Sequence, residues 1–171
     1  MFEIDFRRFD VPSSLVNSRD SPDKEEISDL VGALHHICEH LSEIGAAEVR
    51  ISGHGEAKWP LNLAWGFSMI LQDLPALLQY LKHGGDTFLL DIPAQGVGRT
   101  LSFEVVNEIV EIRCFRAGYE EMPQELETMR KQDLIGMICR VGSEFSDAAE
   151  QHTSWAKSSR PFRKWSKVFS N

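Results

Sequence analysis

The 171-residue chain is predicted to fold as a single α+β domain with a mostly antiparallel sheet that includes a three-stranded C-terminal meander. Two long helices and one short helix are predicted to pack it. Three observations support this. Short segments of period-two apolar alternation flank segments with apolar residues three and four apart, in the order β-α-β-β-α-β-β-β-α. Three successive alternating segments share one apolar register. The composition, 42% hydrophobic and 26% charged with Gly 12 and Pro 7, is that of an ordinary globular domain, and its length allows a core without metals or disulfides.

The elements follow in order. Phe2, Ile4 and Phe6 alternate with Glu3, Asp5 and Arg7, which reads as a half-buried strand over 2–9. A polar connection spans 11–21. Ser21 as cap, Pro22 at the first helical position and Asp23, Glu25 and Glu26 in the first turn then predict a helix start. Ile27, Leu30, Val31, Leu34, Ile37, Cys38, Leu41 and Ile44 continue it at helical spacing, and Gly45 ends it.

Ala47, Val49 and Ile51 mark a strand at 46–52, followed by a Gly/His/Pro loop from Gly53 to Pro60. Leu61, Leu63, Trp65, Phe67, Met69 and Leu71 alternate with smaller or polar residues and predict a further strand, which places Trp65 in the core. Asp73 then caps a short helix with Pro75 in its first turn. Leu74, Leu77, Leu78 and Leu81 line one face, and Gly84-Gly85 stops it.

The meander comprises strands 86–92, 99–106 and 109–116. A two-residue turn at Asn107-Glu108 places Val105 opposite Val110, Phe103 opposite Ile112 and Leu101 opposite Cys114. In the preceding hairpin Leu90 meets Leu101 and Phe88 meets Phe103, so all three strands share one apolar face. A last long helix is expected from about Pro123, its stripe running from Leu126 and Met129 through Leu134, Met137, Ile138, Val141, Phe145 and Ala148. Gly136 and Gly142 weaken its interior.

Charge divides the chain. Residues 1–150 carry 26 acids against 13 bases, and residues 151–171 carry Lys157, Arg160, Arg163, Lys164 and Lys167 with no acid. An acidic body disfavours nucleic acid and accelerates encounter with basic proteins. The basic segment also holds Trp155, Phe162, Trp165 and Phe169, and is expected to dock on the 1–150 domain through these aromatics rather than to serve as a membrane or nucleic-acid arm. No run of residues has the length and apolarity of a membrane span, and the first residues lack signal-peptide character. Cys38, Cys114 and Cys139 are odd in number and lack C-x-x-C spacing. Buried thiols in a reducing, cytoplasmic setting are expected rather than a disulfide framework or a zinc site.

Few groupings point to chemistry. His36, His40 and Glu43 share a helix face and are weak metal candidates, set against an ordinary solvated face. His54 with Glu56 in Ser52-Gly53-His54-Gly55-Glu56 has the placement of a general base, although no nucleophile accompanies it and a glycine-dependent turn accounts for the pattern. Gly96-Val97-Gly98-Arg99-Thr100 precedes a strand, so it is a hairpin loop rather than a phosphate cradle. Trp59 is a candidate exposed anchor for a partner. On the outer face of the meander Glu104 lies opposite Glu111, with Asp91 and Thr100 nearby. Either the diagonal Arg113 compensates these like charges or the face awaits a basic partner.

The stretch Glu48-Val49-Arg50-Ile51-Ser52-Gly53, Trp59-Pro60-Leu61-Asn62, Phe67–Leu71, Leu74–Leu78, Gly96–Glu104 and Glu111–Cys114 resembles the small acidic immunity proteins of bacterial polymorphic-toxin and contact-dependent inhibition systems. The resemblance covers roughly residues 46–150 and is one of element order and composition. It implies a protein without catalytic residues or cofactor that neutralises one cognate toxin domain by stoichiometric binding, the toxin being a basic nuclease. The physical reading supplies Glu104, Glu111, Asp91 and Trp59 as contact candidates. The alternatives are a scaffold or adaptor subunit using Trp59 and the aromatic tail, and a small metal-dependent hydrolase using His54 or the His36/His40 pair.

Overall fold

The computed structural model describes residues 1–12, 28–92, 98–116 and 126–170. The fold is α+β, with a two-stranded and a four-stranded antiparallel sheet packed by helices. Strand β1 (Glu3–Arg8) pairs with β2 (Ala47–Ser52), placing Ile4 opposite Ile51 and Phe6 opposite Val49 on the buried face. Between them runs α1 (Leu30–Glu43). Its N-cap is Asp29, whose Oδ1 accepts from the Gly32 N–H at 2.8 Å. The expected start at Ser21 and Pro22 lies outside the described residues.

Gly45, at φ 66°, closes α1. The Ala46 N–H donates to the Leu41 carbonyl (2.9 Å) and the Gly45 N–H to that of Ser42 (3.2 Å), the paired bonds of a Schellman motif.

The predicted strand over 61–71 is instead helical. Asn62 caps a π-helical turn, Leu63–Phe67, by accepting from the Trp65 and Gly66 N–H groups, and the chain passes directly into α2 (Ser68–His83). Phe67, Ile70, Leu71, Leu74, Leu77, Leu78 and Leu81 form one buried face. This spacing of three and four competes with the period-two pattern over the same residues, and burial of the longer helical stripe prevails.

Pro75 therefore lies inside α2 rather than in its first turn. It has no N–H to offer the Leu71 carbonyl one turn earlier. Trp165 supplies the missing donor, its indole Nε1–H bonding the Leu71 oxygen at 2.8 Å.

Strands β3 (Phe88–Ile92), β4 (Arg99–Val106) and β5 (Ile109–Arg116) form the expected meander with every expected cross-strand pair in place. The loop 93–97 lies outside the described residues. Residues expected to open the last helix instead add a fourth strand, β6 (Glu127–Arg130), which pairs Met129 with Val110. Helix α3 (Lys131–His152) starts only after it and runs unbroken through both glycines. The proposed start near Pro123 lies outside the described residues.

After α3, a 3-10 turn (Ala156–Ser158) leads into α4 (Arg160–Ser166), whose N-cap is Ser159. Phe162, Trp165 and Phe169 are buried. They extend an aromatic cluster in which Phe6 stacks on Phe67 at 5.8 Å and meets the edge of Phe145 at 5.7 Å. Trp165 contacts Phe145 at 5.6 Å and Phe169 at 4.7 Å. Phe169 lies directly over Gly142, where a Cβ would come within 2.3 Å of the ring. A second aromatic group joins the two sheets: Phe2 sits 6.2 Å from both Trp59 and Phe103.

Candidate protein-binding surface

Alternation along the meander sends Leu90, Leu101, Phe103, Val110, Ile112 and Cys114 into the core. The opposite face carries Leu89, Asp91, Thr100, Glu104, Val106, Ile109, Glu111 and Arg113. Leu89, Val106 and Ile109 on it are exposed large apolar residues. Glu104 lies opposite Glu111 as expected, and Arg113 reaches both. Its Nη1 donates to Glu104 Oε2 at 2.9 Å and its Nη2 to Glu111 Oε2. The hydrogen bond to Glu104 is the main cause that holds the guanidinium above its ordinary pKa; burial opposes it, and the charges of Glu111 and Glu104 and the bond to Glu111 add to the rise. Compensation by Arg113 is thus the arrangement found. Asp91 accepts from Thr100 Oγ1 at 2.6 Å on the same face.

Trp59 does not belong to this surface. It is 1% exposed, with its Nε1–H donating to the Gly53 carbonyl at 3.1 Å. The Arg99 guanidinium lies over its ring at 4.3 Å. Burial removes it as a partner anchor because both its ring face and its polar tip are already engaged. The exposed tryptophan is Trp65, 69% accessible, which the strand reading had placed in the core. It leans on His35 with ring centres 4.4 Å apart, and the exposed Val31 lies one helical turn before His35. Once 63–83 is helical, position 65 falls outside the buried stripe.

Arg99 is a further residue that motif reasoning passed over. Its side chain is 3% exposed and bonds Glu56 Oε1 at 2.6 Å. Arg116, its partner across β4–β5, binds the same oxygen, so Glu56 separates two facing cations. The signal was its odd-numbered position, which Arg99 shares with the inward Leu101 and Phe103. Cys114 lies beside Arg99. Burial raises its thiol pKa, and the Arg99 charge only partly offsets this.

The remaining candidates are histidines and cysteines. His54 and the glycines around it occupy positive φ (133°, 52° and 78° for residues 53–55), as a tight turn requires. The His54 N–H donates to Glu127 Oε1 at 2.8 Å, tying the turn to β6. Burial alone would raise the Glu127 carboxyl, but this bond and the neighbouring positive charges bring it below its ordinary value.

His40 departs from the solvated face expected of it. It is buried, and its Nε2–H donates to the His152 carbonyl at 3.0 Å, whereas His36 faces Glu39 at 3.6 Å. Among the described residues, no three His, Cys, Asp or Glu side chains are grouped to hold a metal ion. Cys38 and Cys114 are buried, while Cys139 is partly exposed.

One surface hollow of about 200 Å³ is lined by Asp5, Arg7, Glu48, Arg50 and Lys58. Its charges are mutually engaged: Asp5 with Arg7, Glu48 with Lys58, and Arg50 with the Ala57 carbonyl. No helix among the described residues is long and apolar enough to cross a membrane. No protein-family model, no curated protein and no solved structure matches the chain.

Proposed function

We propose that the protein is a stoichiometric inhibitor of the immunity-protein kind, binding a basic toxin domain of the nuclease type through the outer face of the meander. The observation that carries this reading is the character of that face. Exposed Leu89, Val106 and Ile109 are interleaved with three carboxylates, Asp91, Glu104 and Glu111, against the single cation Arg113 that bridges the two glutamates, on an antiparallel sheet. Apolar contact area flanked by carboxylates suits a basic protein, with the apolar residues supplying affinity and the charges the encounter rate and register. The net charge of −8 acts in the same direction at long range.

The test compares tagged wild-type chain with an E104Q/E111Q variant in pull-downs from the native host at low and moderate salt. Glutamine is the informative substitution because lysine at both positions would surround Arg113 with like charge. One near-stoichiometric basic partner is expected, with the variant binding it about tenfold more weakly and with less salt dependence, the size expected of two rim charges. Unchanged affinity in the folded variant, or the absence of a basic partner at either salt, refutes the proposal.

Trp65 favours a second reading, that of an adaptor whose docking point is the Trp65–His35–Val31 patch. Loss of a partner in Trp65→Ala but not in E104Q/E111Q selects it.

A further inference from the structure

The C-terminal segment presents a second charged surface, opposite in sign to the body and independent of the inhibitor reading. Lys157, Arg160, Arg163, Lys164 and Lys167 are all exposed, and none forms an ion pair among the described residues. The last four fall at helical spacings of three and four, so they share the outer face of α4 and the turn after it. The inward face is Phe162, Trp165 and Phe169, clamped by the Trp165–Leu71 hydrogen bond and the Phe169–Gly142 contact. The cations are therefore displayed on a docked, rigid element rather than on a loose tail. The 26 acids of the chain all lie outside residues 151–171.

We infer that this face is a sequence-neutral binding site for the phosphate backbone of duplex nucleic acid. Four cations over the roughly 10 Å from 160 to 167 approach the charge density of a duplex, about one negative charge per 1.7 Å of axis. Recognition by charge alone follows from what the face lacks. With the segment's Phe162, Trp165 and Phe169 turned inward, they are not available to stack on unpaired bases or to insert below lipid headgroups. The negative body opposes the approach of a polyanion, but its field is screened within a Debye length of about 8–10 Å at physiological salt. The segregation of charge along the chain thus permits what the net charge taken as a whole disfavours.

The experiment is fluorescence anisotropy of a labelled duplex of about 20 base pairs and mixed sequence, titrated with the full chain between 50 and 200 mM salt. Four phosphate contacts imply a slope of about −3.6 in log affinity against log salt, a loss of roughly 150-fold over that range. The R160Q/R163Q/K164Q/K167Q variant changes exposed groups only. It is expected to keep the wild-type circular dichroism spectrum and to bind at least tenfold more weakly. No binding at 50 mM salt, equal binding by the variant, or tighter binding of a single strand than of the duplex overturns the assignment. So does capture of the chain by phosphatidylserine vesicles when the duplex is not bound.

Discussion

Replacing Gly142 with alanine tests how firmly the C-terminal segment is seated. In an exposed helix interior this change stabilises by about 1 kcal/mol, because alanine loses less backbone entropy on folding. Here the added Cβ would lie 2.3, 2.5 and 2.7 Å from three ring carbons of Phe169. Ordinary carbon contacts are about 3.5–4.0 Å, so the ring must retreat by more than an ångström. Accommodating it by strain costs about 1–3 kcal/mol. Expelling the ring instead forfeits about 1.5–3 kcal/mol of burial and about 1 kcal/mol of its contact with Trp165. The cheaper response sets the outcome, so net of the helical gain Gly142→Ala is expected to destabilise by up to about 2 kcal/mol. In a Phe169→Ala background, itself about 3–5 kcal/mol less stable, the obstacle is gone and the same change should stabilise by about 1 kcal/mol. Urea titrations of the four proteins, followed by tryptophan fluorescence and far-UV circular dichroism, measure this sign reversal. Stabilisation by Gly142→Ala in the otherwise wild-type chain, or additivity around the cycle, would refute the packing argument.

Two further outcomes follow from buried polar groups. Arg99→Ala removes a guanidinium bonded to Glu56 and stacked on Trp59, and should cost about 2–3 kcal/mol in urea titrations. This is below the usual cost of breaking a buried pair because Arg116 still neutralises Glu56. A loss under about 0.5 kcal/mol would show that the pair contributes little. The second outcome concerns pH. Burial, and then the charge of His40, depress the His152 pKa below its ordinary 6.5, with Arg8 adding to the effect and Asp10 opposing it. The unfolded chain thus binds the proton more readily than the folded one. The contribution of neutral His152 to stability is complete above pH 6.5 and falls as pH drops through that value towards the folded pKa. Denaturant midpoints of wild type and His152→Leu across this window should converge as pH falls, and parallel curves would contradict it.

The meander was legible because three signals agreed. Strict alternation set which face is buried, the Asn107-Glu108 turn set the register, and Asn107 takes the positive φ of 59° such a turn favours. The 61–83 region was misread because Leu61 to Leu71 satisfies period two while Phe67 to Leu81 satisfies the helical period, and the two overlap. Taking Pro75 as a helix start then cut the longer stripe in half. The strand reading put Trp65 in the core; Trp59, in the preceding loop, was read as exposed from its loop position, and its burial under Arg99 depends on long-range packing. Strand β6 was missed because Glu127–Arg130 has only Met129 as an apolar residue at its centre, and its partner β5 determines its conformation. Of the surface candidates, the pairing of Glu104 with Glu111 under Arg113 followed from register arithmetic. Burial of His40 and Arg99 depended on long-range packing.

The Trp165–Leu71 hydrogen bond links positions 94 residues apart. During synthesis from the N-terminus, α2 emerges with a carbonyl that its own proline cannot satisfy, and that oxygen stays hydrated until residue 165 has left the ribosome. Completion of the core thereby waits on a residue 94 positions downstream. A nascent chain halted before Trp165 would leave the Leu71 carbonyl to water, at the centre of the α2 face that the finished fold buries.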